Sequence, residues 1–366
     1  MTDLVRRQHV VSKFYLNEFA DDRGRIQRVE LPGTHRHCMA TTNASVVKDF
    51  YTLTLPDGTR SDAFERMFST IESAASQAFR AVVQKGQWPV NGMHREAIAA
   101  WSALQHLRSE GMRNSHTQLQ AQMIRMVVGI SGKQALRELI SQAENREVDD
   151  NELDAEWADI TKPSGPDLLP RPESQLRALR NLWEPTTRQM MARRWTVVRF
   201  ERKTLVTSDH PVALAVRSDY PEYMGVGLTN TEAFVVPLSR RVGLVMGKIG
   251  NHPGRELEIP GTTRLARAFL SEIVGSCRRY LYHHPLDDPL AGLELPQPHH
   301  QEVGQIDAGF IREDGLFSSL RDDSPEAEAT ARGLAAMRRA HGTQKGFTIR
   351  DIPWPIPHRR SNIKHR

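Results

Sequence analysis

Residues 195–216 read WTVVRFERKTLVTSDHPVALAV, a stretch in which short apolar runs alternate with polar turns. Residues 195–200 favour a β-strand, because β-branched and aromatic side chains fit a pleated, half-buried surface. The polar residues 201–203 favour a turn, and residues 205–207 and 212–216 favour two further strands. Strands joined by connections this short run antiparallel, so the stretch predicts part of an antiparallel sheet.

Working outward, strands and helices alternate in blocks. Residues 233–237 and 242–246 are apolar runs of strand length that we expect to extend the same sheet. Between residues 61 and 142 the pattern changes, since apolar side chains recur at every third or fourth position. Helices are expected from residue 61, at residues 94–116, 118–142 and 173–193, and in the stretch 262–282. The sequence therefore predicts a mixed α+β fold, with a helical layer packed on a mainly antiparallel sheet.

The composition changes at two places along the chain. Residues 148–172 are acidic and then rich in proline and glycine, which is typical of a surface loop or linker. We predict a single globular domain over residues 1–284 and a proline-rich, basic and loosely attached tail over residues 285–366. The tail has one helix signal, near residues 325–341, where Ser324 is a suitable N-cap and a proline follows it.

Composition and charge exclude several classes of protein. No stretch approaches the roughly 18 apolar residues that span a bilayer, and the first residues lack the apolar run of a signal peptide. The two cysteines, Cys38 and Cys277, lie far apart and predict no disulfide framework. We therefore expect a cytoplasmic protein without a membrane anchor. The net charge of +5 favours nucleic acid as a partner, and the basic end of the tail is a candidate contact for a protein partner.

Three polar residues interrupt the apolar faces of the predicted helices. Glu72 falls on the same helical face as Phe68 and Phe79, and Gln105 and Arg108 interrupt the apolar seam of the next helix. An isolated buried charge is very costly, so Glu72 must be paired, protonated or bound to a cation. One interpretation is a structural ion pair between Glu72 and Arg108, with Gln105 satisfying a leftover lone pair. The other is a polar cleft, in which Glu72 is a metal ligand or general base and Arg108 holds an anionic substrate.

Asp209 and His9 are the remaining candidates. Asp209 follows an apolar strand that ends abruptly, because Pro211 lacks the amide hydrogen that ordinary strand pairing needs. A carboxylate at a strand end is a common catalytic placement, but aspartate before proline also makes simple turns. His9 stands at the beginning of a predicted short helix, where it is a candidate metal ligand or acid–base group, or a cap.

The order of these motifs resembles the mostly bacterial family called domain of unknown function 4238. The resemblance runs from His9 to about residue 282 and rests on the combination of short motifs, not on any one of them. The matching residues are His9, Tyr15, Leu16 and Phe19, then Ile71 and Glu72, then Gln105 and Arg108, then Ser208, Asp209 and Pro211, and finally Pro237 and Leu238.

Two residues depart from the family pattern. Ser12 stands where the family usually has proline, and His210 stands where it often has asparagine. The resemblance implies a shared fold and a shared set of polar residues, and it supplies no reaction.

Two functions are compatible with this set. The first is a metal-dependent phosphodiesterase or nuclease with a role in bacterial defence, in which His9, Glu72 and Asp209 would bind Mg²⁺ or Mn²⁺. Arg108 would then stabilise the phosphoryl charge, and Gln105 would orient water or substrate. The second is a non-catalytic binding or sensor module, in which the same polar set is an internal structural network. Convergence of these side chains in an open cleft favours the enzyme, and burial favours the network.

Overall fold

The computed structural model describes residues 7–48, 53–54, 60–61, 63–169, 172–217, 219–220, 225–248, 256–298, 308–316, 347–356 and 359–360. Within these ranges the α-helices are α1 (Lys13–Asn17), α2 (Ala63–Phe79), α3 (Gly92–Leu107), α4 (Glu110–Ser131), α5 (Lys133–Glu144), α6 (Asp150–Thr161), α7 (Pro172–Met191) and α8 (Thr263–Ser276). A π-helical turn, Arg80–Gln84, extends α2. None of the described helices has the length and apolar character needed to cross a membrane.

The described strands are β1 (Arg7–His9), β2 (Arg25–Glu30), β3 (His35–Ala40), β4 (Val46–Lys48), β5 (Leu53–Thr54), β6 (Arg60–Ser61), β7 (Trp195–Arg199), β8 (Thr207–Ser208), β9 (Ala213–Ala215), β10 (Ala233–Ser239), β11 (Val242–Met246), β12 (Leu257–Pro260) and β13 (Tyr280–His283). A five-stranded sheet has the order β12-β7-β11-β10-β9, and only its β12–β7 pair is parallel. A four-stranded antiparallel sheet has the order β3-β2-β13-β8, and β1–β4 and β5–β6 form two small pairs. The predicted α+β class with mainly antiparallel strands is confirmed.

Strand β8 does not join the sheet of its sequence neighbours. The sequence places residues 205–207 beside the strands that precede and follow them, but β8 pairs with β13 in the four-stranded sheet. Pro211 interrupts the ladder because it has no amide hydrogen. The amide of Asp209 instead donates to the carbonyl of Tyr280 at 2.9 Å. The chain therefore crosses from one sheet to the other at residues 209–212.

Three predicted helices are divided in the structure, and the one predicted at 118–142 is interrupted at Gly132, between α4 and α5. The helix predicted at 94–116 is divided, since α3 ends at Leu107 and α4 begins at Glu110. The hydroxyl of Ser109 accepts from the amide of Met112 at 3.2 Å, which caps the new helix. The stretch 262–282 is also divided, because α8 ends at Ser276 and strand β13 follows.

The contacts divide the chain into two compact units. Unit 1 consists of residues 1–114 and 172–301, and unit 2 consists of residues 115–171 and 302–366. These units differ from the predicted division at residue 284. Unit 1 contains both larger sheets, and its core includes an aromatic cluster in which the rings of Phe79 and Trp101 lie 4.9 Å apart. Burial of each such ring contributes about 2–3 kcal/mol to stability, so α2 and α3 are firmly joined.

Unit 2 corrects the prediction for residues 148–172. Residues 150–161 of that segment form α6, and only the residues after it are irregular. Asp149 caps the helix by accepting from the amide of Glu152 at 2.8 Å. The acidic residues that suggest a loop in the sequence therefore stabilise the helix N-terminus, where negative charge is favoured. Leu153, Trp157 and Ile160 are buried at helical spacing.

Part of the predicted tail packs into unit 2. Ile352 and Ile356 are buried in the same apolar cluster as Trp157. Arg359, which the sequence assigns to the basic end of the tail, is 2% exposed and pairs with Glu156 and Asp159. The charge of Arg359 is thus neutralised by carboxylates of the same unit. The helix predicted near residues 325–341 lies outside the described residues.

Candidate functional site

Three polar residues of the predicted site, Glu72, Gln105 and Arg108, meet at the N-terminal segment of unit 1. Strand β1 ends at His9, and Ser12 precedes the first turn of α1. The hydroxyl oxygen of the buried Ser12 lies 2.7 Å from Glu72 Oε1, 2.8 Å from Gln105 Oε1 and 2.7 Å from Arg108 Nη2. Ser12 is therefore the centre of the polar set.

Gln105 joins α3 to the N-terminal segment through both ends of its side-chain amide. Its Nε2 donates to the carbonyl of Val10 at 3.1 Å, and its Oε1 accepts from the amide of Ser12 at 3.0 Å. The same Oε1 accepts from Arg108 Nη2 at 2.6 Å. The Ser12 hydroxyl accepts from Arg108 and from Trp101 Nε1 at 2.9 Å, and its proton is within reach of both Glu72 Oε1 and Gln105 Oε1.

Arg108 and Glu72 form the expected ion pair. Arg108 Nη2 lies 2.9 Å from Glu72 Oε1, and the arginine side chain is 1% exposed whereas the glutamate side chain is 26% exposed. Arg108 is the C-cap residue of α3, and Glu72 lies on α2. The pair thus joins two helices and the N-terminal segment at one point, with the arginine inside and the glutamate at the edge.

His9 lies at the outer edge of this network. Burial lowers the pKa of its imidazole, and the hydrogen bond with Thr41 and the negative charge of Glu72 partly oppose that shift. Its Nε2 is buried, and no described residue forms a hydrogen bond with it. Of the predicted metal ligands, His9 thus has a ring nitrogen without a hydrogen-bond partner among the described residues, and Glu72 has a partly exposed side chain.

Asp209 has a different set of contacts. Its Oδ1 accepts from the amide of Arg278 at 2.9 Å, and its Oδ2 accepts from the amides of Arg279 at 2.7 Å and Tyr280 at 3.0 Å. Burial raises the pKa of Asp209, while these three amide bonds favour its charged form. The carboxylate caps the chain reversal between α8 and β13, so its partners are distant amides and not the nearby ones of a local turn.

Two histidines connect the Asp209 segment to α3. The rings of His106 and His210 are stacked with centroids 5.4 Å apart, and both residues are buried. His106 follows Gln105 in α3, and His210 follows Asp209, so the two polar sets are neighbours across a ring stack. Burial lowers the pKa of His106 to about 4 and, with the charges of His106 and Arg278, lowers the pKa of His210 to about 3.

This stacked pair predicts acid sensitivity. Well above pH 6.5 both rings are neutral in the folded and the unfolded chain, so their protonation does not affect stability there. As the pH falls from about 6.5 towards 4 and then 3, the unfolded chain binds protons that the folded chain does not, and the free energy of unfolding decreases. His210→Asn should make this decrease smaller in denaturant titrations between pH 7 and pH 4. The exposed control His37→Asn should retain the wild-type slope, and an unchanged slope in His210→Asn would contradict the assignment.

The predicted metal ligands do not form one group. Within the part of the chain that the structure describes, no cluster of three or more histidine, cysteine, aspartate or glutamate side chains is placed to hold a metal ion. The negative charge of Glu72 acts to raise the pKa of His9, whereas the carboxylate of Asp209 is bound by backbone amides. A metal at this place would have His9 and Glu72 as its protein donors.

Three residues that the sequence did not indicate as site residues complete the arrangement. Ser12 and Trp101 satisfy the network, and the hydroxyl of Tyr15 lies 2.6 Å from Thr207 Oγ1 and donates to the carbonyl of Pro237 at 2.8 Å. Ser12 is the N-cap residue of α1, but its hydroxyl makes no capping bond and is directed into the network. Tyr15 thus connects the first family motif to β8 and β10, the strands that carry the last two motifs.

The geometry describes an α+β protein whose ordered motifs meet around one N-terminal segment. A family model described as "Protein of unknown function (DUF4238)" matches residues 7–287, which is most of the chain. The chain therefore belongs to this family. No curated protein and no solved structure matches it.

Proposed function

We propose that this chain is a non-catalytic binding or sensor module, in which the polar set fixes the fold of the N-terminal segment. The observation that carries the proposal is the burial of Arg108 and Gln105, each 1% exposed, with their polar atoms directed at Ser12, Val10 and Glu72. A catalytic arginine must reach a substrate, and a guanidinium enclosed in this way reaches only its own chain.

The saturation of Asp209 supports the same proposal. Three backbone amides donate to its two oxygens, so the carboxylate already has the partners that stabilise its charge. A general base or metal ligand needs a lone pair directed at solvent or substrate. The network interpretation needs no such lone pair, because it requires only that each buried polar group is satisfied.

A metal-dependent phosphodiesterase or nuclease is the competing proposal. Two observations favour it: the Glu72 side chain is 26% exposed, and no described residue bonds His9 Nε2. These two side chains would be the donors for Mg²⁺ or Mn²⁺, and such an ion would supply Lewis-acid activation of a phosphate. Nucleic acid would then be the substrate class, since its phosphodiester suits that chemistry.

One experiment separates the two proposals. The full chain, with Glu72→Gln and Asp209→Asn as variants, is incubated with single- and double-stranded DNA and RNA in Mg²⁺, Mn²⁺ or a chelator. The binding-module proposal predicts no metal-dependent cleavage by any of the three proteins. Cleavage by the wild type that requires metal and is lost in Glu72→Gln, with the circular dichroism spectrum unchanged, would overturn it.

A further inference from the structure

A basic cleft in unit 1 lies apart from the polar network. It has a volume of about 550 Å³ and is lined by residues 202–204 and 241, by one side of α8, and by the segment 286–293. This volume falls within the ~300–1,000 Å³ typical of ligand pockets. The cleft is therefore large enough to bind several side chains of a partner.

Four cationic side chains line the cleft. Arg202, Lys203, Arg241 and Arg267 are all exposed. Arg241 donates to the backbone carbonyl of Glu201, and within the described part of the chain none of the four forms an ion pair with a carboxylate. Four uncompensated positive charges in one concave surface attract an anionic ligand.

The two acidic residues of the lining do not neutralise these cations. Asp287 is held by Arg240, whose Nε and Nη2 both donate to its carboxylate, the Nη2 contact at 2.6 Å. Asp288 pairs with Arg36 at 3.3 Å. Both carboxylates are thus matched by arginines outside the lining, and the cleft keeps its excess of positive charge.

The base of the charged loop is held in place before any ligand binds. The amide of Phe200 donates to the carbonyl of Arg241 at 2.9 Å, and the amide of Leu205 donates to the carbonyl of Arg240 at 2.8 Å. These bonds fasten the ends of the loop that carries Arg202 and Lys203 to the β10–β11 turn. A ligand therefore meets a largely preformed surface, which reduces the entropy cost of binding.

Two leucines in the same lining indicate what kind of anion fits. Leu286 is 84% exposed and Leu293 is 46% exposed. A phosphate backbone offers no apolar partner for them, and the described lining contains no aromatic ring on which a base would stack. An acidic peptide segment with aliphatic side chains complements both the cations and the leucines.

We infer that this cleft is the docking site for an acidic, leucine-containing segment of a protein partner. Carboxylates of the segment pair with Arg241 and Arg267, and its aliphatic side chains cover Leu286 and Leu293. The inference rests on the proposed function, since it names the partner class of the binding module. It concerns surface residues that have no part in the polar network.

Fluorescence anisotropy with three labelled probes tests the inference on the full chain. The probes are a short peptide alternating glutamate and leucine, a polyglutamate peptide of equal length, and a single-stranded oligonucleotide. The Glu/Leu peptide should bind most tightly. Arg241→Glu/Arg267→Glu should weaken its binding by about tenfold or more, and Leu286→Ser should weaken it while leaving polyglutamate unaffected.

The matched control is Arg177→Glu/Arg180→Glu, which changes the charge by the same amount, because both arginines are exposed on α7 and outside the cleft. This control should bind the Glu/Leu peptide like the wild type. Absent or weaker binding of that peptide relative to the oligonucleotide would overturn the inference, as would equal losses in the cleft and control variants. The anisotropy assay measures binding and not cleavage. A failure of this inference can therefore be told apart from a failure of the proposed function, which the nuclease assay tests.

Discussion

Replacing Arg108 by methionine should lower the free energy of unfolding of unit 1 by about 3 kcal/mol. Breaking a buried ion pair by removing one partner typically costs about 3–5 kcal/mol, because an uncompensated charge is left behind. The lower end applies here, since the Glu72 side chain is 26% exposed and water can reach it. The variant also removes charged donors to Ser12 and Gln105, which are 2.7 and 2.6 Å away. Urea unfolding followed by circular dichroism measures the change.

The exposed residue Arg180 again provides the control. Arg180→Met removes the same charge from a helix surface and should change stability by less than about 0.5 kcal/mol. A double-mutant cycle sharpens the test, because Glu72→Leu should cost less in the Arg108→Met background than in the wild type. Strictly additive effects would show that the two residues do not act as a pair.

Replacing Arg359 by alanine should destabilise unit 2 by about 3–5 kcal/mol. The Arg359 side chain is 2% exposed and Glu156 is fully buried, so little water reaches the carboxylate that loses its arginine. Arg359 Nε also donates to Asp159 at 2.8 Å. Hydrogen exchange should therefore become faster in α6, which carries both carboxylates, and in the chain around Ile352 and Ile356.

The neighbouring residue provides the control for this prediction. Arg360 is exposed, and it contributes a backbone amide that donates to the carbonyl of Asp167 at 2.6 Å. Arg360→Ala keeps that amide and should leave exchange in α6 unchanged. If Arg359→Ala and Arg360→Ala have the same small effect, the segment is not held by its buried ion pair.

The fold class follows from local patterning, but the pairing of the strands does not. Residues 195–199, 233–239 and 242–246 are strands as their apolar runs predict. Strand β8 joins a different sheet, and the sequence does not predict this because its partner, β13, lies more than 70 residues further along the chain. Local propensity carries no information about a partner at that distance. Helix α6 was missed for a different reason, because the acidic residues that suggest a loop cap the helix, and Leu153, Trp157 and Ile160 are its buried positions.

The candidate site was predicted in part. Helical spacing placed Glu72, Gln105 and Arg108 on apolar faces, and the structure brings them within hydrogen-bond distance of one another or of Ser12. Spacing alone does not reveal that Ser12 is the centre of the polar set, because the role of this small residue depends on three elements that converge on it. Nor does it reveal that the amides 278–280 surround Asp209, since they come from a chain reversal about 70 residues away.

The most direct test of the structural role of the network is the response of unfolding to metal. In the competing proposal Glu72 and His9 would bind Mg²⁺ or Mn²⁺, and a bound ion would stabilise the folded chain by about 2.7 kcal/mol at a concentration 100-fold above its Kd. Thermal unfolding of the wild type and Glu72→Gln is measured in Mg²⁺, Mn²⁺ and chelator. A structural network predicts that Glu72→Gln is less stable than the wild type by the same amount in all three conditions. Stabilisation of the wild type by metal that disappears in Glu72→Gln would contradict it.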